Sequence, residues 1–160
     1  MTINSQRLPR LILGFWAAWY LVVVASNVCD FAQWLGWLPA TWPFASGNLA
    51  LVRKTTAIYG FPEAIATALF AAAIVWELAA AVAFALAARP QGSSVHAWPA
   101  AERALLVGIG LWSAFILADE IFIAFPTGIE GSHLRIFTAH LASLIAIGML
   151  LAREREKNSR

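Results

Sequence analysis

Polar and apolar positions alternate along this chain in long blocks. Residues 11–29 carry no charge, and three further apolar runs follow at about 62–88, 104–125 and 134–152. Each is close to or above the roughly 20 apolar residues that a helix needs to cross a bilayer. The blocks between them are charged, or rich in Pro, Gly and Trp. The pattern predicts an all-α integral membrane protein: a four-helix transmembrane bundle in one domain over 1–160, with an interfacial helical loop at 31–61 on the outer side.

Arg7 and Arg10 precede the first run. A basic start and an apolar core also fit a signal peptide, but the run is longer than a usual apolar signal core, and Ala25-Ser26-Asn27 is a poor small-residue cleavage site. It reads as an uncleaved first span. Trp16, Tyr20, Val23, Asn27 and Asp30 recur on it at helical spacing and share one face. The connection from Phe31 to Phe61 holds Trp34, Trp37, Trp42 and two prolines. Tryptophan prefers the headgroup level, so this segment is expected to lie along the membrane surface. Ser46-Gly47-Asn48 reads as a turn and cap, and Leu49–Ile58 as a short helix stopped before Gly60. Together they form a lid over one end of the bundle.

Pro62 suits the start of the second span, whose marked stripe is Glu63, Thr67, Phe70, Ile74, Glu77, Ala81 and Phe84. Glu77 falls near mid-membrane, where a charge costs about 2.5–3.5 kcal/mol on insertion scales, so a protonated carboxyl hydrogen-bonded to a neighbouring helix is expected there. Residues 89–99 (RPQGSSVHAWP) read as a loop, with His96 solvated. In the third span Gly108, Gly110 and Ser113 would let a neighbouring backbone come close. It carries Asp119 and Glu120 and ends at Phe125-Pro126-Thr127-Gly128. His133, Phe137, His140, Leu144 and Gly148 line one side of the fourth span, and the charged tail after it is expected to fray.

Composition agrees with this class. Charged residues make up 12% of the chain, against about 25% in water-soluble domains, too few to coat a globule. A net charge of +2 does not point to nucleic acid, because the basic residues sit at span ends and in the tail. They act as topology signals. With both termini cytoplasmic, Arg7, Arg10, Arg89, Arg103, Arg153, Arg155, Lys157 and Arg160 lie inside, and only Arg53, Lys54 and Arg135 lie outside. The lone Cys29 excludes an internal disulfide and a paired-cysteine metal site.

Counting from the outer surface, Asp119 and Glu120 lie about one and a half to two turns deep, His140 about two, and Asn27 and Glu63 about one or less. Asp30 ends the first span at that surface. Glu77 falls roughly 10–15 Å deeper. These residues form a candidate ligand or ion cluster: Asn27, Asp30, Glu63, Glu77, Asp119, Glu120 and His140. A helix turns about 100° per residue, so Asp119 and Glu120 cannot both face the axis. Glu120, continuing the stripe of Ser113 and Ile116, is the expected inward acid, poised for His140. Those two are the candidate metal ligands. No Glu-x-x-His or His-Glu-x-x-His spacing supports a specific metal, and both membrane histidines sit on one span, which disfavours bis-His haem. No cofactor is implied. A purely structural reading pairs Asp119 or Glu120 with Arg135, Arg53 or Lys54, and His140 with the remaining acid. Proton or ion movement through Glu77 and the outer cluster is a third reading, though neither a proline break nor a repeat marks a transporter. Spacing suggests no Ser, His and acid set. The expectation is a non-catalytic accessory or partner-binding subunit, with a ligand- or metal-binding bundle as the alternative. The lipid bilayer is its partner, and a homo-oligomer or larger membrane complex fits the same class.

The order of features resembles a group of bacterial proteins described only as predicted small integral membrane proteins. The parallels are Asn27-x-x-Asp30, the long loop with Trp and Pro, Trp76-Glu77, the acid and aromatic Glu120 and Phe122, and Arg135 with Phe137 opening the last span. Ala118-Asp119 departs from it, standing where glycines are expected. The resemblance implies the four-span fold and no chemistry; the expected location is a bacterial inner membrane.

Overall fold

The computed structural model describes residues 7–90, 94–123 and 128–158. Five α-helices follow one another: α1 (Arg7–Trp34), α2 (Asn48–Thr56), α3 (Glu63–Ala87), α4 (Ser94–Ile121) and α5 (Glu130–Asn158). A 3-10 turn, Ala57–Tyr59, follows α2 and is closed by Gly60 at φ 65°. Four of the helices are long and apolar enough to cross a membrane. Large apolar side chains such as Leu11, Phe15, Val75, Leu117 and Ile145 point outward all around them. In water such a surface would aggregate, and in lipid it is solvated.

Sequence neighbours pack as antiparallel pairs, α1 with α3, α3 with α4 and α4 with α5, and α2 lies across α1 and α3 at one end. The circle closes between α1 and α5 through side chains: Trp16 Nε1–H donates to Ser143 Oγ at 3.0 Å. The half of the bundle away from α2 is a dry core of Leu13, Ala17, Ala80, Ala81, Phe84, Ala104, Leu105, Ile147 and Leu151. Its many alanines let the helices approach closely, which drives packing where lipid is as apolar as the core.

Three boundaries differ from expectation. Helix α4 starts at Ser94, inside the segment read as a loop through Pro99. A proline early in a helix forfeits one backbone bond and does not stop it; the side chain of His96 lies outside the described residues. Helix α5 runs on through the charged tail to Asn158, because Ala, Arg, Glu and Lys are strong helix formers with or without lipid. Helix α1 continues to Trp34, past the expected end at Cys29. The turn expected at 125–128 lies mostly outside the described residues.

The end over which α2 folds is tied down on several sides. Asp30 Oδ2 accepts from Ser46 Oγ at 3.0 Å and from Leu49 N–H at 2.8 Å, so a carboxylate on α1 caps the start of α2. Gln33 donates to the carbonyls of Pro39 and Trp42 and shapes the loop between them. Arg53 pairs with Glu63 at the head of α3 and lies 5.1 Å from the Trp34 ring centroid. Tyr59 donates to the carbonyl of Ile121 at the end of α4. Trp37 and Trp42 stay exposed, as expected of residues at headgroup level.

Candidate ligand cavity

Beneath α2 the bundle holds a partly open cavity of about 560 Å³. All five helices contribute to its wall. Its sides are apolar and aromatic, with Trp19, Phe70, Trp76, Trp112, Phe115 and Phe122 among them, and Leu51, Val52, Thr55 and Thr56 of α2 form the roof. Volume and lining match those of a small-molecule site, which is mostly apolar with a few placed polar groups.

Polar groups occupy two poles. At the first, Asn27 Nδ2–H donates to Glu77 Oε2 at 2.8 Å, and Asn48 Nδ2–H donates to Asn27 Oδ1 at 2.9 Å. This relay from α2 through α1 to α3 fixes Glu77, which is 3% exposed. All three residues line the cavity. At the other pole His133 Nδ1 and Asp119 Oδ2 stand 2.6 Å apart. An imidazole that donates from Nδ1 to a carboxylate keeps Nε2 for a ligand or a proton. Trp112 and Phe115 hold the ring, with centroids 5.5 and 5.2 Å away.

The floor is a closed network. His140 Nδ1–H donates to the carbonyl of Ile136 at 2.9 Å, which leaves Nε2 to accept the Tyr20 hydroxyl at 3.1 Å. The same hydroxyl accepts from Trp112 Nε1–H at 2.9 Å. Every donor in this chain meets an acceptor. Gly108 makes room for it: a Cβ there would stand 2.6 Å from His140 Cδ2 and 2.9 Å from the Tyr20 oxygen. Close approach at Gly108 was expected, but a side-chain pair fills the space where a backbone was expected.

The sequence-derived cluster therefore divides. Asn27, Glu77 and Asp119 line the cavity, whereas Asp30, Glu63, Glu120 and His140 do not. Glu120 was expected to face inward and is exposed; its neighbour Asp119 is the buried acid, 5% exposed. The expected meeting of Glu120 with His140 is absent, since His140 is engaged by Tyr20 and Ile136. Among the described residues no three His, Cys, Asp or Glu side chains are grouped as a metal site requires. The expected outer ion pairs are also redrawn: Arg53 takes Glu63, and Asp119 takes His133. Glu77 does not lie far below Asn27, because the two are hydrogen-bonded.

His133 and Asn48 are site residues that the sequence-derived cluster lacks. A signal for the first was present. Asp119 and His133 lie at equal distances on either side of Pro126, and an antiparallel hairpin centred there places them opposite each other. Trp112 and His140 are matched about the same point, which is why both reach Tyr20. Comparison with protein-family models, curated proteins and solved structures finds no match for this chain.

Proposed function

We propose that this protein binds a small amphiphilic molecule within the membrane, in the cavity roofed by α2. The cavity itself supports this reading: about 560 Å³, apolar walls and two polar groupings, Asn27–Glu77–Asn48 and Asp119–His133. The scaffold alternative, in which buried polar groups only fix helix order, accounts for Tyr20, His140 and Trp112, whose donors and acceptors are all matched. It leaves the cavity without a role. The excess of basic residues at one end of the bundle supports cytoplasmic termini and an α2 roof on the outer side. The resemblance noted in the sequence supports a bacterial inner membrane.

Ala73 lies one turn from Glu77 on the cavity wall, so Ala73→Phe fills the space and leaves the polar groups in place. Native mass spectrometry of the wild type from mild detergent is expected to show a retained small molecule, lost in Ala73→Phe. If both proteins carry the same species, or none, the cavity is not a binding site.

A further inference from the structure

We infer that the ligand of this cavity is a lipophilic organic cation, an inference that rests on the binding reading above and assigns its chemical class. Charge is the first argument. Glu77 and Asp119 bring two carboxyl groups to the lining, and neither Lys nor Arg is among the described residues that form it. Of the two basic side chains within the roof helix, Arg53 pairs with Glu63 and packs on Trp34, and Lys54 is exposed. His133, the remaining titratable group on the wall, is held by Asp119.

Hydrogen-bond polarity is the second argument. Four side-chain donors around the cavity are committed to the protein itself. Trp76 Nε1–H goes to the carbonyl of Val107 at 3.2 Å and Trp112 Nε1–H to Tyr20 at 2.9 Å. Thr55 and Thr56 donate to carbonyls one turn back in α2. The charged acceptors that the lining brings to a ligand are the carboxyl groups of Glu77 and Asp119. An anion would find two carboxyl groups opposing it.

The third argument is the wall. Six aromatic rings surround the space, and a ring face attracts a cation by about 0.5–2 kcal/mol, more when desolvated. Carboxylate and ring faces together suit a monovalent ammonium or phosphonium with apolar substituents. The positive centre lies near Glu77 and the substituents fill the aromatic half. Small hydrated metal ions, by contrast, would gain nothing from the apolar wall.

The test uses two molecules of the same shape, methyltriphenylphosphonium and the uncharged 1,1,1-triphenylethane. Thermal unfolding of the detergent-solubilised protein is followed against the concentration of each, since a ligand of the native state raises the midpoint. The cation is expected to raise the midpoint well above any effect of the neutral isostere. Glu77→Gln, which keeps an acceptor for Asn27, is expected to weaken the cation about tenfold and leave the isostere unchanged. Asp119→Asn, which still accepts from His133, gives an independent reading in the same direction if the first variant does not fold. Equal binding of both molecules, unaffected by either substitution, overturns the cation assignment while the cavity stands. If neither molecule moves the midpoint in the wild type, both the assignment and the binding reading fall.

Discussion

Tyr20 satisfies two neighbours with one hydroxyl. It gives its proton to His140 and accepts one from Trp112, so Tyr20→Phe strands an imidazole nitrogen and an indole N–H together. A buried polar group left unpaired costs about 1–3 kcal/mol. Tyr20→Phe is therefore expected to lower stability by about that amount, read from denaturation in mixed micelles. A change within error would show that the floor is held by packing alone. Residue-level assignment from the sequence succeeded on α1, where Trp16, Tyr20, Asn27 and Asp30 are buried as their spacing required. On α4 it failed at one position. Ser113 and Ile116 pointed to Glu120, but the buried face runs through Ala101, Ala104, Leu105, Leu111, Trp112 and Asp119. A helix apolar on every side has no polar face to orient it, so adjacent acids differing by about 100° are not separated by hydrophobicity.

At the scale of elements, α2 is the part that makes a cavity out of a bundle. Its helical form and position were legible in Ser46-Gly47-Asn48 and Gly60, which mark its two ends. Its role as a roof was not, because that depends on Asp30 reaching across from α1. Depth along the spans was misjudged for a related reason. Counting inward from each predicted end placed Glu77 far below Asn27, yet α1 and α3 are partners in a hairpin centred within α2. Asn27 with Glu77, and Tyr20 with Phe84, are matched about that centre and meet at 2.8 Å and 5.6 Å. Asp30→Ala removes the acceptor for Ser46 and for the Leu49 N–H; losing a cap of this kind costs about 0.5–2 kcal/mol. Trypsin cleavage after Arg53 or Lys54 is expected to accelerate in that variant, with the spanning helices unchanged by circular dichroism. Unchanged cleavage would mean that α2 is held by Arg53 and Tyr59 and not by its cap.

Across the whole molecule, a dry core of small residues at one end supports a roofed cavity at the other. The four spans were legible because run length and charge are read directly from sequence, whereas a cavity is defined by side chains that fail to meet. The proposed orientation rests on the basic residues at the span ends. A reporter active only outside the cytoplasm is expected to give signal when fused at Gly47 or Gly131 and none at Ser93 or Arg160. Signal at Ser93 would reverse the assignment of the α2 end to the outer side. The cavity itself is tested most directly by thiol accessibility in a Cys29→Ser background. Ala73→Cys and Ala118→Cys place thiols on the cavity wall, and Ala81→Cys places one in the core, where Ala81 is 1% exposed. A small cationic methanethiosulfonate reagent is expected to modify the first two readily and the third barely, with methyltriphenylphosphonium slowing the reaction at the cavity positions. If positions 73 and 118 prove as inert as 81, the space beneath α2 is closed and the account of a binding protein is contradicted.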